Sequence, residues 1–538
     1  MSSSADTLAP LVLDGVVAYP EEFAARYRDK GYWIGQTHSD LLADTVSAHP
    51  ARIAVVDANR SLTYWELADR VQKVAGELSA RGIQRGDRVV VHMPNTTEFV
   101  EVVFALFELG ALPVFALAAH RRAEIEQFCV ATGAHGYVTV DRFGLTSFED
   151  IAAEIDTAVA GLVTVVVPVG DPSWAQAEPA ARRTRALPSD IAFLQLSGGT
   201  TGTPKLIPRT HDDYLYSVRE SARICAIDET SVMLAALPIS HNFTMSSPGL
   251  LGLVAVGGCV VMAPDPSPDT CLRLVEQHEV THAALVPPVL MAWLNSSART
   301  ERDISSLVSV WVGGAKLTSE VARRVGPELG CALTQVFGMA EGLVNYTRVG
   351  DDDATVFGTQ GRPISPDDEV RVVDDAGEPV EVGMPGHLQT RGPYTIRGYF
   401  AAPQHNRTAF TEDGFYATGD IVVQDARGYL QVVGRSKDQI NRGGEKIAPA
   451  VVENHLLAHE AIHDVSVVGI PDPVLGEKIC AFVIRRDSDS DVPTAGQLRA
   501  FLRTERKVAA YTVPDTFEFV SEFPTTSVGK IDKKVQSR

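Results

Sequence analysis

A chain of 538 residues, 45% hydrophobic and 22% charged, is long enough for more than one domain and a large core. That composition excludes whole-chain disorder, a collagen-like repeat and a small disulfide scaffold. With 48 Lys and Arg against 68 Asp and Glu the net charge is −20, a field that repels phosphate polymers and anionic lipid, so no nucleic-acid and no membrane partner is expected.

The opening MSSSADTLAP lacks a basic stretch followed by an apolar run, so no signal peptide is expected. Thr63-Tyr64-Trp65-Glu66 has the spacing of a helix capping box, and Leu67, Val71, Val74 and Leu78 recur at helical spacing up to a stop at Gly82. Val89-Val90-Val91 predicts a buried strand, Phe99 to Leu109 a helix, and Leu112-Pro113-Val114 the start of the next strand. Helix and strand in turn argue for a largely parallel sheet with covering helices. The weakly polar run Leu250 to Ala263 is too short to cross a bilayer and reads as a buried helix–strand pair. Val308 to Val312 and Leu333 to Phe337 continue the strand theme, each ending in a glycine-bearing loop.

Beyond Gly434 the texture changes to charged, glycine-bearing loops, with helix-like segments at Ala450 to Leu457 and Ala495 to Leu502 and strand-like runs at Val465 to Ile470 and Ile479 to Ile484. The expected architecture is α/β: a large N-terminal domain over residues 1–435, its sheets covered by helices, and a small mobile α+β C-terminal domain over 436–538. Six scattered cysteines without a CxxC pair read as reduced, mostly buried thiols of a cytoplasmic protein.

The sharpest local feature is Ser197-Gly198-Gly199-Thr200-Thr201-Gly202-Thr203-Pro204-Lys205, which follows the strand-like run Ile191 to Leu196. Three glycines let backbone N–H groups converge, hydroxyls add donors and Lys205 adds a positive charge, which is what a polyphosphate tail needs. It is not a Walker A sequence, and composition alone leaves a mobile surface hinge equally open.

Further motifs follow in fixed order: Gly338-Met339-Ala340-Glu341, Tyr416-Ala417-Thr418-Gly419-Asp420, Gly434-Arg435-Ser436-Lys437-Asp438, and Pro524-Thr525-Thr526-Ser527-Val528-Gly529-Lys530. Together with the phosphate-type loop they resemble the adenylate-forming superfamily over essentially the whole chain. Tyr19-Pro20-Glu21-Glu22-Phe23-Ala24, Arg26-Tyr27, Gly31-Tyr32-Trp33, His241-Asn242-Phe243 and Phe337 to Arg348 narrow the resemblance to stand-alone aryl-acid AMP ligases of siderophore pathways.

The resemblance implies two half-reactions: a carboxylate attacks the α-phosphorus of ATP and releases pyrophosphate, then a pantetheine thiol displaces AMP to give a thioester. It places Ser197, Gly198, Gly199, Thr200, Thr201, Gly202 and Lys205 on the phosphates, and Glu341 on Mg²⁺. Gly313, Gly314, Ala315, Phe337 and Gly338 fall to adenine, and Asp420 and Arg435 to the ribose. Lys530 becomes the mobile catalytic lysine of the first step, and His241 lines the channel between carboxylate and thiol, where no general base is needed. Lys437 falls at the hinge, and Gly443 and Gly444 on the pantetheine path. Without the resemblance, Lys530 reads as a solvated tail lysine, Glu341 as a helix-start glutamate, Asp420 and Arg435 as surface charges, and Phe337 as a core aromatic.

For the acid itself, Asn242, Phe243, Ser247 and Val344 are the implied pocket. His241-Asn242-Phe243 offers no carboxylate to pair with a substrate ammonium, which argues against an amino acid. Ser247 and Val344 leave a partner and room for a 3-hydroxyl, favouring 2,3-dihydroxybenzoate over salicylate, although Ser247 is also readable as a helix-start cap. The acceptor is expected to be a separate aryl carrier protein bearing phosphopantetheine, with coenzyme A as the alternative.

Overall fold

The computed structural model describes residues 9–178, 186–197, 205–442, 445–472, 475–486, 493–506, 508, 510–525 and 531–537, with the backbone alone at Lys437, Asn441, Glu445 and Lys446. Two large sheets build the N-terminal part. The first has six strands in the order Leu206–Thr210, Ile191–Leu196, Leu112–Ala116, Arg88–His92, Gly136–Val140 and Val163–Val167, parallel except for the outer hairpin Ile191–Leu196 with Leu206–Thr210. The second has nine, running from Arg362–Pro363 through Gly342–Tyr346, Ala332–Met339, Ser309–Val312, His282–Leu285, Val232–Ala235, Cys259–Met262 and Ile53–Val56 to Ser61–Thr63. Its interior is parallel and both ends are antiparallel.

Local chemistry accounts for the elements. Thr63 and Glu66 form the capping box of helix Tyr64–Ala80, each side chain taking the other's backbone N–H. Helix Thr97–Leu109 is apolar on nearly every side, so it is buried all round within the main core. Its two fully buried carboxylates are compensated: Glu98 and Glu101 meet Arg60 at 2.8 and 2.7 Å, and Arg70 reaches Glu101 at 3.3 Å. The run Leu250 to Ala263 is the expected pair, helix Gly249–Val256 and strand Cys259–Met262. The six cysteines are free thiols, five of them buried.

A third sheet, the antiparallel four-stranded Glu369–Val373, Pro385–Arg391, Tyr416–Gln424 and Leu430–Arg435, goes beyond the parallel pattern expected from the sequence. Pro385–Arg391 alternates buried and partly exposed residues, so it carries no continuous apolar run to announce a buried strand. After Arg435 a smaller α+β unit follows. Its sheet joins Glu445–Ile447, Ile440–Arg442, Gly476–Arg485, Ile462–Asp472 and Thr516–Phe519, and helices Pro449–Leu457 and Ala495–Thr504 share its own apolar core. Among the described residues no helix is long and apolar enough to cross a membrane.

Candidate active site

The hairpin of strands Ile191–Leu196 and Leu206–Thr210 presents the glycine-rich segment at its tip. The ends of the segment are tied together: the Ser197 N–H donates to the Lys205 carbonyl at 2.9 Å, and the Lys205 N–H donates to Ser197 Oγ at 2.9 Å. Gly198, Gly199, Thr200, Thr201 and Gly202 lie outside the described residues. The Lys205 ammonium stands 5.3 Å from the centre of the Tyr399 ring. The Tyr399 hydroxyl donates to Glu341 Oε1 at 2.7 Å and shares a hydrogen bond with the Tyr416 hydroxyl at 2.9 Å. Burial first, and then the Glu341 charge, hold both phenols far above their ordinary range, so they stay protonated.

Glu341 sits in the turn between strands Ala332–Met339 and Gly342–Tyr346, so the alternative of a helix-start glutamate is corrected. Tyr399 fixes one of its carboxylate oxygens. A single protein carboxylate beside a phosphate-type loop is a donor set that fits Mg²⁺, which keeps waters and takes substrate phosphates.

On the adjoining wall, strand Ser309–Val312 ends in Gly313, whose N–H donates to the Leu285 carbonyl at 3.1 Å. A Cβ at Gly313 would come within 2.9 Å of the Val336 carbonyl oxygen and 3.3 Å of Phe243 Cζ. Only glycine therefore lets this loop, the Val336 strand and the Phe243 ring close together. Gly314 takes a φ of +80° and is exposed, as is Ala315. Phe337 is half-buried, with its carbonyl held by Asn345 Nδ2 at 2.9 Å, and Gly338 faces Val344 across the ladder.

Asp420 pairs with Arg435 across neighbouring strands, Arg435 Nε donating to Asp420 Oδ1 at 2.9 Å. Asp420 is buried while the Arg435 side chain is 51% exposed, and the Asp420 charge raises the guanidinium pKa further. That burial sets Asp420 apart from an ordinary surface ion pair. Lys437 lies in the short turn Ser436–Asp438, and its side chain, like Gly443, Gly444 and Lys530, falls outside the described residues. The segment carrying Lys530 is bounded by a Thr525–Ile531 bridge and by the Asp532 N–H donating to the Pro524 carbonyl at 2.7 Å.

The expected acid pocket is drawn together around the short helix Asn242–Ser246. His241 caps it, Nδ1 accepting from the Phe243 N–H at 3.2 Å, which puts the proton of the neutral ring on Nε2. Asn242 Oδ1 accepts from the Tyr214 hydroxyl at 2.9 Å, so the amide hydrogens are what Asn242 has to offer a ligand. Phe243 and Val344 belong to one buried cluster with Tyr214, Val336 and Tyr346. Ser247 is buried at the end of that helix, its N–H bonded to the Phe243 carbonyl at 3.1 Å, and the Tyr346 hydroxyl lies beside it. The reading of Ser247 as a helix-start cap is corrected: it closes one helix, and the next begins with no side-chain cap.

Residues 42–400 match the AMP-binding enzyme family, and residues 451–530 match the AMP-binding enzyme C-terminal domain. The chain belongs to the AMP-binding enzyme family. It is 50% identical to the 2,3-dihydroxybenzoate-AMP ligase of Bacillus subtilis (strain 168), covering 97% of each chain. It is 44% identical to the salicyl-AMP ligase / salicyl-S-ArCP synthetase of Mycobacterium tuberculosis, over 97% of this chain and 94% of that one. The apo structure of Mycobacterium smegmatis MbtA superposes with a TM-score of 0.74 at 41% identity, covering 97% of this chain and 98% of that one.

In this AMP-binding enzyme several residues that organise the site escaped the sequence reading. Arg209, fully buried at the end of the strand that follows the glycine-rich segment, donates from Nε to Asp213 at 2.8 Å. Its other nitrogens donate to the Ala340 carbonyl at 2.8 Å and the Tyr394 carbonyl at 3.0 Å. Tyr214, Tyr399 and Tyr416 orient Asn242 and Glu341. The available signals were the Arg209/Asp213 spacing of four and the tyrosine that opens the Tyr416–Asp420 motif.

Proposed function

We propose that this AMP-binding enzyme activates 2,3-dihydroxybenzoate with ATP and passes the acyl group to the phosphopantetheine thiol of an aryl carrier protein for catecholate siderophore synthesis. The observation that carries the reading is the acid pocket: Asn242 turns donors inward because Tyr214 occupies its oxygen, and Phe243 supplies an aromatic wall. Ser247 supplies a buried hydroxyl and Val344 a small apolar side. Donors and an aromatic wall suit an anionic hydroxylated ring; an amino acid's ammonium would find no carboxylate at Asn242.

In the first step a substrate carboxylate oxygen bonds to the α-phosphorus as the bond to the bridging oxygen of pyrophosphate breaks. Lys205, the loop N–H groups and Lys530 bear the charge gathered on the phosphates and carboxylate, while Asp420 accepts from the ribose hydroxyls beside Arg435. Glu341, oriented by Tyr399, would hold Mg²⁺, which supplies charge neutralisation at the phosphate oxygens. In the second step the thiol sulfur bonds to the acyl carbon and AMP leaves with both electrons of the broken bond. The split into 1–435 and 436–538 with a hinge at Lys437 is part of this proposal. It is supported by the last strand of the four-stranded sheet ending at Arg435 and the next sheet starting at Ile440. We place the enzyme in the cytoplasm, in keeping with its free thiols.

Salicylate is the second reading, favoured by the similarity to the mycobacterial salicyl-AMP ligase. Acid-dependent ATP–pyrophosphate exchange separates the two. Exchange strongest with 2,3-dihydroxybenzoate, weaker with salicylate and absent with amino acids is the expected result, and a salicylate preference overturns the assignment of the pocket. Transfer to coenzyme A in place of a carrier protein overturns the assignment of the acceptor.

A further inference from the structure

The aromatic segment from Tyr19 to Trp33 is a strong sequence motif to which the chemistry above gives no task. In the structure it braces one stretch of the fold. Arg26 and Lys30, on and just after helix Glu21–Asp29, reach Asp367 at 2.7 and 2.6 Å. The Trp33 indole N–H donates to the Pro393 carbonyl at 3.0 Å, and the Arg397 guanidinium lies 5.1 and 4.7 Å from the ring centres of Tyr19 and Phe23.

Between these anchors stands Tyr394, fully buried. Its hydroxyl donates to Asp368 Oδ2 at 2.6 Å and accepts from the Val344 N–H at 3.2 Å. Asp368 Oδ2 also accepts from the Ser365 N–H at 3.0 Å, and Ser365 Oγ accepts from the Tyr216 hydroxyl at 2.7 Å. Val344 belongs to strand Gly342–Tyr346, and its carbonyl is taken by the Ile364 N–H at 3.1 Å. In a strand a residue's N–H and C=O point to the same side, so the Val344 N–H emerges where the neighbouring strand Arg362–Pro363 has ended. The Tyr394 hydroxyl supplies the acceptor that the sheet does not.

From this geometry we infer that Tyr394 and Asp368 are positioning residues for the acid pocket, setting the Val344 backbone and so the depth available to the ring substituents, with the Tyr19–Trp33 segment as their brace. The inference rests on the assignment of Val344 to the aryl-acid pocket. It explains why a motif some distance along the chain accompanies this substrate class: the segment touches the support of the pocket rather than the substrate.

The test is ATP–pyrophosphate exchange by the full-length enzyme, with KM measured separately for 2,3-dihydroxybenzoate, salicylate and ATP. Tyr394→Phe keeps the ring and removes the hydroxyl, leaving the Val344 N–H and Asp368 Oδ2 each short of a partner. The expected result is a rise of about tenfold in the KM for 2,3-dihydroxybenzoate, a reduced preference over salicylate, and a KM for ATP that stays within about twofold. Asp368→Asn keeps the side-chain volume and should shift the same two quantities by less, and the double variant should be no worse than Tyr394→Phe. If Tyr394→Phe does not fold, Asp368→Asn decides alone. A merely structural role would lower the amount of active enzyme and leave both KM values and the acid preference unchanged; that outcome overturns the inference while wild-type exchange with aryl acids upholds the proposed function. Absence of aryl-acid exchange in the wild type overturns both.

Discussion

The Tyr214 hydroxyl donates to Asn242 Oδ1 at 2.9 Å, and this one bond decides which face of the amide a ligand meets. Tyr214 is itself buried, its phenol held well above the ordinary range by desolvation, so it acts only as a neutral partner at physiological pH. Replacing Asn242 by Asp puts a negative charge where amide hydrogens faced an anionic acid. For Asn242→Asp the kcat/KM for 2,3-dihydroxybenzoate should fall by about 100-fold with the KM for ATP little changed, as read by exchange kinetics. Unaltered use of the acid would remove Asn242 from the pocket.

Glu341 offers a related test on the phosphate side. Glu341→Gln keeps an acceptor for the Tyr399 hydroxyl but removes the charge. Exchange should drop by about 10- to 100-fold, and the Mg²⁺ concentration needed for half-maximal rate should rise. Tyr399→Phe should give a smaller loss, about three- to tenfold, because the carboxylate is retained but no longer oriented. A Mg²⁺ titration on all three proteins distinguishes a metal ligand from a residue that only supports the turn.

Asp420 and Arg435 make a charge-assisted contact in which the carboxylate is the buried member. Asp420→Asn should raise the KM for ATP by about tenfold and leave the KM for the aryl acid unchanged. Equal effects on both substrates would point to a general loosening of the four-stranded sheet instead.

The two half-reactions can be separated at Lys530. Lys530→Ala should slow adenylate formation by about 100-fold or more, while transfer from pre-formed aryl-adenylate to the carrier protein stays within about threefold. Loss of both steps together would contradict the assigned role.

A pH dependence of stability follows from His38 and His211, whose Nδ1 atoms lie 2.7 Å apart in a fully buried aromatic surround of Phe107, Phe193 and Tyr214. Burial pulls His211 down to about 4, and burial with the neighbouring ring pulls His38 well below its ordinary value. Below pH ~6.5 the unfolded chain binds protons that the folded pair refuses, so stability is complete above that pH and is lost as the pH falls toward 4. Thermal midpoints should drop by several degrees between pH 7 and pH 5, with a shallower drop for His211→Gln.

Much of this organisation was legible because it is local. The Thr63–Glu66 capping box, the strand Ile191–Leu196 and the helix ending at Leu109 announce themselves within a few residues of sequence. The site residues named from motifs are brought together where they are described: Glu341 near Lys205, Asp420 beside Arg435, Phe243 against Gly313. What the sequence hid was the set of groups that aim them. Tyr399 reaches Glu341 across 58 positions and Tyr214 reaches Asn242 across 28, contacts fixed by sheet order rather than by any local pattern. The four-stranded sheet was missed for a different reason, since strands that bury only alternate residues carry a weak hydrophobic signature.

Arg209 has a consequence for how substrate choice can change. Its rigid guanidinium fork spans from the Ala340 carbonyl to the Tyr394 carbonyl while Asp213 holds its base, so the phosphate, metal and acid walls hang from one post. Backbone on any one side is not at liberty to drift outward for a bulkier acid without dragging the others off the α-phosphate. Retailoring this enzyme toward new aromatic acids is therefore a matter of trimming or exchanging side chains at positions such as 242, 247 and 344, within a cavity whose outline is set by a cation that the substrate itself does not touch.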